Sequence, residues 1–203
     1  MSDLFRCGQR TAECTEIRRH GAAHLRRRDR RKVCYGPGVS SEPLIREARD
    51  DDAAGLIALI GGVFAEYAGC FLDVDGEIPE LRAIATAYTK SNGRFWVCES
   101  DGGAVVGCVG LLPATEPGGI ELRKLYVQSA MRKSGLGGQL CDLVEGHARS
   151  VGAKFVDLWS DTRFETAHRF YERRGYERGP HTRDLHDCSA SVEFYFRKSL
   201  PPR

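Results

Sequence analysis

A mixed α/β sheet covered by helices is the fold class this sequence predicts, and three observations predict it. The apolar period switches between about two and about 3.6 along the chain. Glycine, proline or aspartate stands where the period changes. The 203 residues, 41% hydrophobic and 29% charged, suffice for one real core but not two.

Each element follows in order. Leu44 to Ala48 is a short strand, and Asp50, Asp51 and Asp52 supply N-cap and first-turn acids for an apolar-periodic helix from Ala53 to Tyr67. A second helix covers Pro79 to Tyr88, with proline in its first turn. Arg94 to Glu99 and Ala104 to Leu111, joined by Ser100-Asp101-Gly102-Gly103, form a hairpin. Ile120 to Val127 is the next strand, and strict alternation places Glu121, Arg123, Leu125 and Val127 on one side, Leu122, Lys124 and Tyr126 on the other. Leu136, Leu140, Leu143, Val144 and His147 make one helical stripe. Phe155 to Trp159 is a strand, Thr166 to Arg174 a helix stopped by Gly175, and Tyr176 to Arg178 and Val192 to Lys198 are closing strands around a loop with Gly179-Pro180.

Charge divides the chain at about residue 43. Residues 1–43 hold ten Lys/Arg against five acids and no sustained apolar period, so this basic N-terminal extension is expected to be disordered, with residues 44–203 as the folded domain. A nucleic-acid or acidic-membrane contact, an organelle-targeting segment and an extension without a role are the three readings of the extension. No aromatic residues are interleaved with its arginines for base stacking, so a nucleic-acid partner is not expected. The longest nearly uncharged apolar run, Ala53 to Ala65, contains three glycines and is shorter than the roughly 20 residues of a membrane helix. No membrane partner is expected. The eight cysteines are too sparse for a disulfide scaffold, contain no CxxC and do not pair with histidines at zinc-ligand spacing. Reduced thiols, a cytoplasmic location and no metal are therefore expected.

The most specific feature is Arg132-Lys133-Ser134-Gly135-Leu136-Gly137-Gly138, lying between a strand end and the start of an amphipathic helix. Backbone N–H groups at such a terminus lack helical partners and attract anions, glycines let a ligand approach the backbone, and Arg132 and Lys133 add positive charge at the entrance. A pyrophosphate suits this loop. A Walker loop is absent, and a dinucleotide fingerprint read as Gly135-Leu136-Gly137-Gly138-Gln139-Leu140 lacks its last glycine.

These residues resemble the GNAT superfamily of acyl-CoA-dependent N-acyltransferases. The family's apolar strand and [RQ]-x-x-G-x-[GA] are matched by Leu125-Tyr126-Val127 and Arg132 to Gly137, and its A-x-x-F-Y-x-x-x-G-[FY] block by Ala167 to Tyr176. The resemblance covers about residues 44–199. It departs at Phe164, where many members carry an asparagine that contacts the cofactor. It implies a mostly antiparallel central sheet with helices on both faces and a splayed parallel strand pair, here 120–127 and 155–160. It also implies acetyl-CoA as acyl donor. The pantetheine arm would pair with the backbone of Leu125, Tyr126 and Val127, and the loop of Arg132, Lys133, Ser134, Gly135, Leu136, Gly137 and Gly138 would hold the pyrophosphate.

Transfer of an acetyl group to a primary amine by direct attack in a ternary complex requires a base for the amine, a donor to the carbonyl oxygen and an acid for the thiolate. Tyr171 occupies the family's general-acid position and Glu121 a position where several members carry the base. Helix packing and pairing with Arg123 or Lys124 are their alternative roles. Glu66, Tyr67, Asp73, Asp75 and Glu77 form an acidic cluster for a cationic acceptor or a solvated loop, and His181, Asp184, His186 and Asp187 in the final loop offer an alternative base. The acceptor is a small-molecule or peptide amine. A homodimer is compatible with the sequence, which does not set the oligomeric state. The alternative function is a non-catalytic acyl-CoA-binding regulatory module.

Overall fold

The computed structural model describes residues 43–201, so the basic extension, apart from its last residue, lies outside the described residues. The chain runs β1 (Leu44–Glu47), α1 (Ala53–Phe64), α2 (Ile84–Lys90), β2 (Arg94–Glu99), β3 (Val105–Pro113), β4 (Gly119–Val127), α3 (Leu136–Ser150), β5 (Phe155–Asp161), α4 (Glu165–Arg173), β6 (Glu177–Asp184) and β7 (Val192–Ser199). One seven-stranded sheet has the order β1-β2-β3-β4-β5-β7-β6. Among the described residues only β4 and β5 pair in parallel; the other pairs are antiparallel. No described helix is long and apolar enough to cross a membrane.

Each face of the sheet has its own core. Leu56, Ile60, Leu81, Ile84 and Tyr88, from α1, α2 and the 3-10 turn at Pro79–Ala83, pack on Phe95, Val97 and Cys108. Leu136, Leu140, Val144 and Tyr171 pack with Trp96, Val109, Leu111, Leu122, Val156 and Leu158 on the other side. Because β2 is covered on both faces, Phe95-Trp96-Val97-Cys98 is apolar throughout, as buried strands are.

Two geometric features open the middle of the sheet. The β4–β5 pairing stops at Glu121↔Asp157, and beyond that rung the strands part. In addition, β4 carries a bulge: Cys108 faces Tyr126 and Gly110 faces Arg123, so three steps on β4 match two on β3, and Lys124 takes φ +51°. The extra residue reverses the strand's alternation. Glu121 and Arg123 therefore share a face with Tyr126, while Leu125 and Val127 turn to the α3/α4 core. The expectation that Glu121 and Leu125 share a side is thereby corrected; nothing in Arg123-Lys124-Leu125 marks a bulge.

Three local expectations are also revised. Asp50–Asp52 form a 3-10 turn, in which the Asp52 carboxylate accepts from the Arg49 amide and pairs with Arg46 instead of capping α1. Helix α1 ends at Phe64, short of Tyr67. Strand β6 continues through Gly179-Pro180 to Asp184, so His181 and Asp184 lie on a strand. Proline is tolerated there because β6 is an edge strand and its register shifts between Arg178 and Thr182.

Candidate active site

The site begins at the bulged end of β4. From Leu122 onward, the β4 edge facing β5 has no strand partner among the described residues, which leaves that edge beside Leu125, Tyr126 and Val127 open to an extended ligand. The chain then turns into α3 through Gly135, whose φ of +93° suits glycine, and Lys133 at φ +64°. Ser134 Oγ donates to the Met131 carbonyl at 2.7 Å, bracing the turn. The amides of Lys133, Ser134, Gly135, Gly137 and Gly138 make no hydrogen bond to another described residue. These donors lie at the N-terminal, positive end of a 15-residue helix.

Packing does not demand glycine at 137 and 138. An added Cβ would stand 3.7 Å from Phe170 at position 137 and 3.6 Å from Arg174 at 138, ordinary contact distances. Two glycines in a helical turn cost about 1 kcal/mol each relative to alanine, a cost that packing among the described residues does not explain. Arg132 is less free than the sequence suggests. Its guanidinium makes a two-pronged pair with Glu66 at 2.5 and 2.7 Å, and its Nε donates to the Val127 carbonyl at 3.1 Å. Arg132 thus clasps the loop to the segment after α1, leaving Lys133 as the exposed cation.

On the opposite face lies a cleft of about 550 Å³. Glu121 lines it from β4, Trp159 and Asp161 from β5, and Phe164 from the start of α4. The segment after α1 contributes Phe71, Asp73 and Glu77, and that after β6 contributes His186 and Asp187. Phe164 explains its own departure from the family pattern: its ring packs 4.6 Å from Tyr67 and 6.1 Å from Phe64, making an aromatic wall of the cleft. Arg163 fixes the rim, bonding Asp161, the Gly69 and Ser189 carbonyls and Ser191 Oγ. Burial favours neutral Asp161, but the Arg163 guanidinium prevails and holds its carboxyl below the usual range, so Asp161 is a fixed anion and a poor base.

The acidic residues named in the sequence are dispersed. Glu66 is committed to Arg132, and Asp75 to Arg82 at 2.7 Å. Asp73 and Glu77 do reach the cleft, although Asp73 accepts from the Gly76 amide and Glu77 from the Cys188 amide. His181 is exposed on β6, whereas His186 is at the cleft and 3.3 Å from Asp184. Tyr171 is 5% exposed and packs against Phe170, Tyr176 and Phe196, with ring centroids 5.5–5.9 Å away. Burial drives its phenol far up, so it stays protonated, and its hydroxyl makes no hydrogen bond to a described residue. Glu121 is half-buried, 3.8 Å from Arg123.

Asp157, missed in the sequence reading, faces the same side as Glu121. Its signal was a single acid in the otherwise apolar run Phe155-Val156-Asp157-Leu158-Trp159. Burial pushes its carboxyl up to about 6 despite a hydrogen bond from Tyr195 at 3.0 Å. Among the described residues no group of three or more potential metal ligands occurs.

A splayed parallel pair beside a glycine-rich helix terminus defines an acyl-CoA-type transferase fold, and the comparisons agree. The Acetyltransferase (GNAT) family model matches residues 62–176, and the chain belongs to that family. It is similar to probable N-acetyltransferase family 8 member 5 of Mus musculus, 34% identical over 59% of this chain and 52% of that protein. An amino-acid acetyltransferase of Azotobacter vinelandii is 32% identical over 76% of this chain and 32% of its own length. The chain thus spans about half or less of these curated relatives. Among solved structures, a GNAT acetyltransferase from Staphylococcus aureus Mu50 superposes with a TM-score of 0.67 at 22% identity, covering 79% of this chain and all of that one. A Salmonella typhimurium acetyltransferase solved with its cofactor acetyl-CoA gives 0.61 at 17% identity, over 80% and 96% of the two chains.

Proposed function

We propose that the protein transfers an acetyl group from acetyl-CoA to a primary amine by direct attack in a ternary complex. The observation carrying this reading is the adjacency of free loop amides, an unpaired β4 edge and, through the β4–β5 gap, a cleft bearing a carboxylate. Acetyl-CoA, when bound, supplies the acetyl group as a reactive thioester. The amides of Lys133, Ser134, Gly135, Gly137 and Gly138 would hold its pyrophosphate, and Leu125, Tyr126 and Val127 its pantetheine arm by strand-like pairing. Leu136 starts the helix that orients these amides and is itself buried.

Glu121 takes the proton of the incoming ammonium, leaving the amine lone pair free to attack. A backbone N–H near Val127 stabilises the oxygen as negative charge develops. Tyr171, kept protonated by burial, gives its proton to the departing sulfur. The acids lining the cleft, Asp73, Glu77 and Asp187, favour a cationic acceptor, a small molecule or a peptide.

Turnover of Glu121→Gln and Tyr171→Phe tests these roles. Each lowers kcat by about a hundredfold or more, with CoA affinity retained. Unchanged turnover in both removes the assignment.

A further inference from the structure

We infer that Asp157 forms a carboxylate pair with Glu121 across the last paired rung of β4 and β5, and that the pair, not Glu121 alone, holds the proton removed from the acceptor amine. The inference rests on the acyl-transfer reading with Glu121 as base.

Its geometry is that of neighbouring strands. Glu121↔Asp157 is a register pair, so the two Cα atoms are about 4.8 Å apart. Each residue is flanked by residues of the α3/α4 core, Ile120 and Leu122 for Glu121 and Val156 and Leu158 for Asp157, so both carboxylates turn to the other face. Glu121 lines the cleft, whereas Asp157 is only 7% exposed. Two full negative charges at this spacing repel, and the pair is relieved by sharing one proton.

The groups around Asp157 leave that place open. Tyr195 on β7 donates to Oδ2 at 3.0 Å, while Oδ1 is buried with no hydrogen-bond partner among the described residues. Arg197, the β7 residue in register with Asp157, is the neighbouring cation, but Glu116 in the β3–β4 turn takes both ends of its guanidinium. On β4, Glu121 has Arg123 at 3.8 Å. A buried carboxylate oxygen without a donor is costly when charged, whereas a proton on it supplies what is missing. The raised titration of Asp157 agrees with this picture. The step starts from the pair with both carboxylates ionised, as they are above the Asp157 midpoint: an ammonium N–H bond breaks and an O–H bond forms on Glu121. The proton passes to Asp157 Oδ1, restoring anionic Glu121, and returns to water after the product leaves. Asp157 acts through Glu121 and is a positioning residue.

Carboxyl ¹³C NMR titration of the intact protein tests the pair without any acceptor. Asp157 titrates near 6 and falls by about one unit in Glu121→Gln; an unmoved midpoint overturns the pair. With an amine acceptor, Asp157→Asn moves the acid limb of the kcat/KM pH profile down by about one unit; an unmoved limb overturns proton sharing, since a merely structural role changes amplitude alone. Coupling in a protein that acetylates no amine keeps the pair and removes the acyl-transfer reading. Active protein without coupling does the reverse.

Discussion

Replacing Asp157 by asparagine changes one atom in the core and removes its ability to ionise. In the folded chain burial raises this carboxyl from 3.8 to about 6. A raised folded value means that the folded state resists ionisation. The stability contribution is fully present below the unfolded value and is lost as pH rises through the folded one. Two units at 1.36 kcal/mol each amount to about 3 kcal/mol of destabilisation at pH 7 and above. The Asp157→Asn variant would escape it, while the amide carbonyl of the new side chain still accepts from Tyr195. Urea unfolding between pH 4 and pH 7.5 measures the difference. Near pH 4 the two proteins unfold at similar concentrations. By pH 7.5 the variant's midpoint is higher by about 1.5 M, taking a slope of about 2 kcal/mol/M. A difference independent of pH, or a variant less stable at pH 7.5, refutes the reasoning.

The remaining predictions concern the loop and the acid. Gly137→Ala raises the stability of the free protein by about 0.5–1 kcal/mol, yet reduces the shift in melting temperature produced by CoA; an unaltered CoA shift would show that the space beside Gly137 is not used. Arg132→Ala loses both the Glu66 pair and the Val127 bond, so CoA binding measured by calorimetry weakens about tenfold or more. Tyr171→Phe, whose hydroxyl has no hydrogen-bond partner among the described residues, unfolds within about 1 kcal/mol of wild type while its kcat falls; chemical denaturation and turnover on the same sample separate the two effects.

Much of this architecture was legible because period and punctuation agreed. The order of seven strands and four helices follows from alternating runs such as Arg94 to Glu99 and from stripes such as Leu136, Leu140 and Val144, with Gly175 closing α4. Boundaries slipped where local chemistry had two outlets. Gly179-Pro180 reads as a loop, but an edge strand with a register shift accommodates it, and Asp52 reads as a cap until Arg46 reaches it. The loop at Ser134 to Gly138 was legible because its glycines and the helix stripe are contiguous. The cleft was not, since Phe71, Glu121, Trp159 and Asp187 come together only through the sheet. The bulge at Lys124 was invisible for a related reason: it is defined against β3, and it decides which face Glu121 uses. Asp157 carried a signal, an acid in an apolar strand, but its meaning depends on its neighbour across the rung.

The central claim, acetyl transfer to an amine, is tested most directly by incubating the full chain with acetyl-CoA and a panel of amines. Released CoA thiol and acetylated amine are measured together, the latter by mass spectrometry. Acceptor-dependent thiol release matched one to one by an N-acetylated product, and lost in Glu121→Gln, is the predicted result. Tight CoA binding with no acceptor-dependent release across small amines, amino acids and basic peptides would contradict it.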